Sequence, residues 1–230
     1  MERKPVFGVL LSGCGVYDGA EIHESVSLLL ALAQEGIEAR CFAPNIWQHH
    51  VVNHLTGEEM PEKRNVLVEA ARIARGAIQD IAEARVETLD ALLMPGGFGV
   101  AKNFTKWAFE GPDGAIVPEV KALIQAFYQA KKPIGAVCMA PTTLAKALEQ
   151  PDESIQLTIG NTTEASPYDI AAISGGINQT GHLAVMVGAE EIFVDKAHKV
   201  VTSPCYMMEA DITQIYEAAL KTVRALKALL

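Results

Sequence analysis

Short apolar runs that stop at a glycine or a cysteine, each followed by a segment of helical spacing, restrict this chain more than any other feature. Val6 to Leu11 ends in Gly13-Cys14-Gly15, Leu89 to Met94 ends in Pro95-Gly96-Gly97, and Ile134 to Val137 ends at Cys138. An apolar run without alternation is the pattern of a strand covered on both faces, and strands separated by helices lie parallel. The expected architecture is therefore α/β, a doubly wound and mainly parallel sheet with helices on both faces. Glu38 to Phe42 supplies a further strand. Half of the 230 residues are hydrophobic, enough to bury one large core, so residues 1–230 are read as a single domain.

The helices follow from caps and stripes. Asp18 and Glu21 have the spacing of a helix start, Ile22, Val26, Leu29 and Ala33 form an apolar stripe, and Gly36 supplies the stop. On this periodicity Glu24 falls with Ser27 and Glu35 on the side away from the stripe, where a solvated carboxylate belongs. An insertion occupies residues 44–88, with Pro44 to Arg64 near the site and a helix from Arg64 to Arg75 closed by Gly76. Pro118 to Ala130 and Pro141 to Leu148 carry proline in the first turn of a helix. Ile155 to Ile159 is expected as a strand. Ser166-Pro167 opens a short helix ended by Gly175-Gly176, Ile192 to Val194 pairs with Val200 to Thr202 as a ribbon, and Ala210 to Leu230 closes the chain as a helix with Ile212, Ile215, Ala219, Val223 and Leu226 on one face.

Charge and cysteine usage exclude several functions. A formal net charge of −9 with no basic cluster longer than Lys131-Lys132 argues against a nucleic-acid partner. No apolar run approaches the roughly 20 residues of a membrane span. The four cysteines, Cys14, Cys41, Cys138 and Cys205, show no paired spacing and read as free thiols in a reducing, cytoplasmic setting. Met1 to Cys14 has the outline of a lipoprotein cleavage box, but its apolar stretch is short for a signal core and cleavage would remove the first strand. Gly13-Cys14-Gly15 with Gly19 misses the dinucleotide spacing by one residue, and Asp18, Glu21 and Glu24 would repel a pyrophosphate. His49, His50, His54 and Cys41 lack the spacing of a zinc site, so no metal is expected.

Chemistry concentrates at Cys138. A side chain between a buried strand and a helix-starting proline is pushed out at the carboxyl edge of the sheet, where open α/β sheets bind ligands. The free N–H groups and dipole of the following helix favour a thiolate, which lowers the expected pKa of this cysteine; a buried, inert thiol is the other reading of the segment. Gly97 N–H and Met139 N–H are in position to serve as oxyanion donors. Cys14 ends the first strand and is either a second functional thiol or a small loop residue.

The Cys138 elbow, the Pro95-Gly96-Gly97 turn and a glutamate on the first helix resemble the ThiJ/PfpI superfamily, relatives of the class I glutamine amidotransferases with a flavodoxin-like fold. Leu11-Ser12-Gly13-Cys14-Gly15-Val16-Tyr17-Asp18-Gly19, Asn53-His54-Leu55-Thr56-Gly57-Glu58, Arg64-Asn65-Val66-Leu67 and Pro95-Gly96-Gly97-Phe98-Gly99 resemble the ElbB glyoxalase family, described as isoprenoid-biosynthesis proteins with an amidotransferase-like domain. The resemblance implies Cys138 as nucleophile, Glu24 as the first-helix acid, and Gly97 and Met139 as oxyanion donors. It also implies a cofactor-independent lyase acting on a small dicarbonyl, with glyoxal leaving as glycolate through a Cys138 hemithioacetal, and a homodimer. Where many superfamily members place a histidine, this chain reads Gly160-Asn161-Thr162, so Asn161 stands there as a substrate-binding candidate. His182 reads as a strand-end residue rather than a substitute base. Two other uses of the thiol stay open: a redox-sensing, deglycase or chaperone-like protein without dicarbonyl turnover, and an amidotransferase-like accessory subunit.

Overall fold

The computed structural model describes residues 3–150 and 153–230; the first two residues of the Met1–Cys14 segment lie outside it. The elements in chain order are β1 (Val6–Leu10), α1 (Ile22–Gln34), β2 (Glu38–Ala43), α2 (Val66–Ile73), β3 (Ile78–Asp80), β4 (Ala91–Met94), α3 (Trp107–Glu110), α4 (Pro118–Gln129), β5 (Ile134–Val137), α5 (Ala140–Ala147), β6 (Gln156–Gly160), α6 (Ile170–Gln179), β7 (Leu183–Met186), β8 (Phe193–Asp195), β9 (Val200–Ser203) and α7 (Ile212–Ala228). Seven strands form one sheet in the order β3-β2-β1-β4-β5-β9-β8, parallel except for the antiparallel β8–β9 ribbon at one edge. The chain leaves β1 toward β2 in one direction and β4 toward β5 in the other. Right-handed crossovers therefore put α1 on one face and α4 on the opposite one. This is the flavodoxin-like, amidotransferase-like α/β architecture that the strand pattern and the resemblance imply.

Every residue of β1, β4, β5 and β9 is buried, the accessibility pattern of strands sandwiched between helix layers. The segment 44–88 is only partly irregular. Its second half supplies α2, capped by Asn65, and the short edge strand β3, which sequence reading missed because three residues carry no periodicity. Its first half is pinned to the turn after β1: Val52 N–H donates to Asp18 Oδ2 at 2.7 Å, and Gln48 Nε2 donates to the Asp18 carbonyl at 3.2 Å. Asp18 thus anchors this loop, and the N-cap of α1 is Glu21, whose carboxylate accepts from Glu24 N–H at 2.7 Å.

Two local expectations are reversed by tertiary packing, and one strand found where expected pairs outside the main sheet. On α1 the buried face is Glu24, Ser25, Ser27, Leu28, Ala31 and Leu32, while Ile22 and Val26 are 43% and 50% exposed. The stripe that presses on the sheet is the Leu28-Ala31-Leu32 set, and Glu24 is carried inward with it. β6 does not join the main sheet; it pairs with β7 in a separate two-stranded parallel unit. Finally, α6 is capped by Asp169 and runs through Gly175-Gly176 instead of ending there. A Cβ at Gly176 would lie 2.8 Å from Trp107 Cζ2, so the glycine marks a close helix approach, not a stop.

Gly175, by contrast, would have nothing within 4 Å of an added methyl group, and its backbone is not left-handed. Gly175→Ala is expected to raise unfolding stability by about 0.5–1 kcal/mol through loss of unfolded-state freedom, read as a higher denaturation midpoint. A lower midpoint would contradict the helical placement of this segment.

Candidate active site

Cys138 leaves β5 with φ 56, a left-handed conformation for a residue that carries a side chain. Its N–H donates to Ser203 O at 2.9 Å, which holds the elbow against the end of β9. α5 begins two residues later with Pro141 in its first turn. The turn after β4 closes over the sulfur. A Cβ on Gly96 would lie 2.4 Å from Cys138 Cβ and 2.7 Å from its Sγ, so only glycine fits. Gly97, at φ 88, directs its N–H at the Cys138 thiol.

Glu24 reaches this point from the opposite direction. Its carboxyl is fully buried, lies with the Cys138 sulfur against Gly96, and accepts from Gly96 N–H at 2.9 Å and Tyr206 N–H at 3.3 Å. Burial first, and the nearby Glu21 charge second, push its pKa up to about 8. Glu21, itself buried at the N-terminus of α1, is likewise raised by desolvation. Cys138 is 5% exposed, and burial together with the Glu24 charge pushes its thiol well up, while the Gly97 N–H pulls the other way. The lowered cysteine pKa expected from the helix terminus is thus reversed: one dipole and one N–H do not offset the loss of water and a facing carboxyl. The two groups share a buried site in which either negative charge disfavours the other.

The thiol opens onto a narrow cavity of about 10 Å³, close to the space one water needs. Gly97, Cys138 and Met139 line its reactive end, and Phe98, Tyr168 and Tyr206 line its walls. The Phe98 and Tyr168 rings meet edge to face, with centroids 5.7 Å apart. Burial and the Cys138 and Glu24 charges hold the Tyr168 hydroxyl at a pKa of about 12, so it stays protonated. Larger grooves elsewhere, such as the ≈ 500 Å³ one beside Trp47, His49 and Lys106, do not include Cys138.

Four of the five residues selected from sequence converge: Cys138, Glu24, Gly97 and Met139. Asn161 does not. Its Oδ1 accepts from Thr163 N–H at 2.9 Å and Glu164 N–H at 2.8 Å, and its Nδ2 donates to Val187 O at 3.0 Å, so it closes a turn after β6 outside the cavity wall. His182 is buried just before β7, where its ring nitrogen faces Ile155 N–H at 3.4 Å. Cys14 is half-buried outside the cavity wall, its thiol raised by burial. Sequence reading missed Tyr168, Tyr206 and Cys205, which sit in irregular segments with no periodicity to reveal them. Cys205 is fully buried in a left-handed turn after β9 and is close enough to feel the Glu24 charge.

Comparisons with known proteins supply the family and the fold of relatives. A rat ES1 protein homolog, mitochondrial, is 40% identical over 211 residues, covering 91% of this chain and 78% of that protein. The human glutamine amidotransferase-like class 1 domain-containing protein 3, mitochondrial, is 40% identical over 218 residues, covering 94% of this chain and 80% of its own length. Both names place those relatives in mitochondria, and the cytoplasmic expectation is corrected accordingly. Free thiols signal a reducing environment, which is not unique to the cytoplasm. The crystal structure of an isoprenoid biosynthesis protein with amidotransferase-like domain from Ehrlichia chaffeensis superposes with a TM-score of 0.88 at 36% identity, covering 98% of this chain and 99% of that one. A glyoxalase III from Candida albicans has the same fold, with a TM-score of 0.60 at 13% identity over 96% of this chain and 97% of its own. The DJ-1/PfpI family model matches residues 14–203, from the turn after β1 to the end of β9, and with the relatives' agreement over nearly the whole chain it shows that the chain belongs to the DJ-1/PfpI family.

Proposed function

We propose that this protein is a cofactor-independent, glyoxalase-like enzyme that converts glyoxal to glycolate. The observation that carries the reading is the juxtaposition of Cys138 and Glu24, a nucleophile and a proton carrier whose Sγ and Oε2 both crowd Gly96, with the cysteine lining a small cavity. A carboxyl titrating near pH 8 exchanges protons readily at neutral pH, which is what a general acid–base group requires. Ionised Glu24 takes the thiol proton as Sγ attacks one aldehyde carbon and forms the C–S bond of a hemithioacetal, then gives that proton to the oxygen that gains charge, which the Gly97 and Met139 N–H groups face. Glu24 then takes the proton from that carbon and returns it to the neighbouring one, giving a glycolyl thioester. Water cleaves the C–S bond, releasing glycolate and the thiol. Glyoxal and water account for every atom of the product.

The uncharged lining of the cavity supports an uncharged carbonyl substrate. At about 10 Å³ the space takes one water, so even glyoxal enters only when the aromatic walls part, and the lining includes no cationic side chain to take the α-carboxylate of glutamine. The test is a product assay by proton NMR with glyoxal, methylglyoxal and glutamine side by side. Glycolate from glyoxal, hydroxy acid from methylglyoxal and no ammonia from glutamine are expected; ammonia release with inert dicarbonyls would reverse the assignment. A second reading, a redox-sensing thiol without turnover, is favoured by the lack of a histidine among the cavity-lining residues. Stable sulfinic acid on Cys138 under peroxide, with no dicarbonyl consumed, would select it.

A further inference from the structure

The reaction just proposed has two oxygens to manage, and the groups so far named handle one. The oxygen on the attacked carbon faces backbone N–H groups, and Glu24 moves the carbon-bound proton. The second carbonyl oxygen must gain a proton as the enediol forms, and the first must lose one as the thioester forms. Tyr206 lines the cavity with Cys138, and its hydroxyl is at the exposed rim. The turn Cys205–Met207 follows β9, the neighbour of β5, so it lies beside the Cys138 elbow at the same sheet edge. Tyr206 lines the cavity, its N–H donates to Glu24, and its hydroxyl lies 2.9 Å from Nδ1 of His23, the residue preceding Glu24 on α1. The rings of His23 and Tyr206 are tilted against each other with centroids 5.9 Å apart.

We propose that Tyr206 is a catalytic acid–base residue of the Cys138 site and that His23 is its positioning partner, a role deepening the glyoxalase-like reading and dependent on it. The Tyr206 O–H bond breaks as its proton passes to the second carbonyl oxygen, while Glu24 removes the proton from the sulfur-bearing carbon. The phenolate, held by the His23 ring, then accepts the proton of the hydroxyl on that carbon as the thioester carbonyl forms. Glu24 delivers its proton to the other carbon, and both groups return to their starting states. Supporting this, burial and the charges of Glu21, Glu24, Asp211 and Cys205 around the phenol raise its pKa, so it begins protonated. Tyr168 lines the cavity too, but its packing partner is Phe98, which cannot hold a phenolate.

Tyr206→Phe keeps the backbone donor to Glu24 and removes only the hydroxyl. Its kcat for glyoxal should fall by about 10²-fold, the lower end for a positioned acid–base group, with KM little changed. His23→Ala should lower kcat by about tenfold, and His23→Gln, which can still hold the hydroxyl, should recover most of that loss. Melting curves and Cys138 alkylation rates verify that each variant is folded with an open site. Tyr206→Phe within about threefold of the wild-type kcat, a loss confined to KM, or a loss on Tyr168→Phe in its place would overturn the assignment. A wild-type protein that consumes no dicarbonyl would instead remove the glyoxalase-like reading, and this assignment with it.

Discussion

Cys138→Ala should lower glycolate formation from glyoxal by at least about 10⁴-fold while leaving the chain folded. The sulfur supplies the only bond between enzyme and substrate in the proposed path, so nothing at the cavity can compensate for its loss. Cys205 cannot step in, because it is buried beside Ser203 and does not line the cavity. The left-handed φ at position 138 is shared by alanine, so the backbone strain, on the order of 1–2 kcal/mol, is the same in both proteins. Any change in melting temperature therefore reports the missing Sγ alone. NMR detection of glycolate, with a melting curve on the same sample, makes the measurement. Turnover within about tenfold of wild type would mean that a different nucleophile is at work.

Glu24→Gln should be the poorer catalyst and the protein that loses less stability as pH turns alkaline. Without a titrating group to move the carbon-bound proton, turnover should fall by about 10²–10⁴-fold. The stability effect has the opposite sign. Glu24 carries a folded-state pKa of about 8 against an ordinary value of 4.5, so the folded protein holds a proton that the unfolded chain has released across that interval. The associated stability is fully present below about pH 4.5 and is lost as pH rises through about 8, a change of up to about 5 kcal/mol for the isolated group. Glutamine cannot ionise, and its single carbonyl oxygen can accept from only one of the Gly96 and Tyr206 N–H groups, which bond different Glu24 oxygens, a cost that is the same at every pH. Urea melts at pH 5 and pH 9 should show the wild type losing several kcal/mol that the variant keeps. Parallel losses in both proteins would show that Glu24 is not the buried proton holder. The same substitution removes the charge that opposes the thiolate, so the pH at which Cys138 becomes alkylatable should fall.

Much of this site was legible in the chain. Buried parallel strands announce themselves as unbroken apolar runs, and their ends mark the sheet edge. Cys138 and Gly96-Gly97 could therefore be placed together from pattern alone, as could the proline-started helices α4 and α5 and the capping turn of α2. Where the reading failed, the missing information was never local. The exposed Ile22 and Val26 stripe outweighed the correct face of α1 in any count of periodicity. The donors that make a buried Glu24 tolerable come from Gly96 and Tyr206, 72 and 182 residues away. Gly175-Gly176 looked like a helix stop because the indole of Trp107 that requires the small residue belongs to another element.

By itself the sequence determined the central parallel strands and the helices that follow them, the edge at which the reactive thiol emerges, and the glycine turn that meets it, because hydrophobic run length, caps and turn residues act over a few neighbours. Only the tertiary structure decided which face of α1 turns inward, how far burial raises the Cys138 and Glu24 pKa values, and that Tyr206 and His23 come together. Those outcomes depend on solvent exclusion and on contacts between segments distant in the chain, and neither is encoded in the pattern of any one segment.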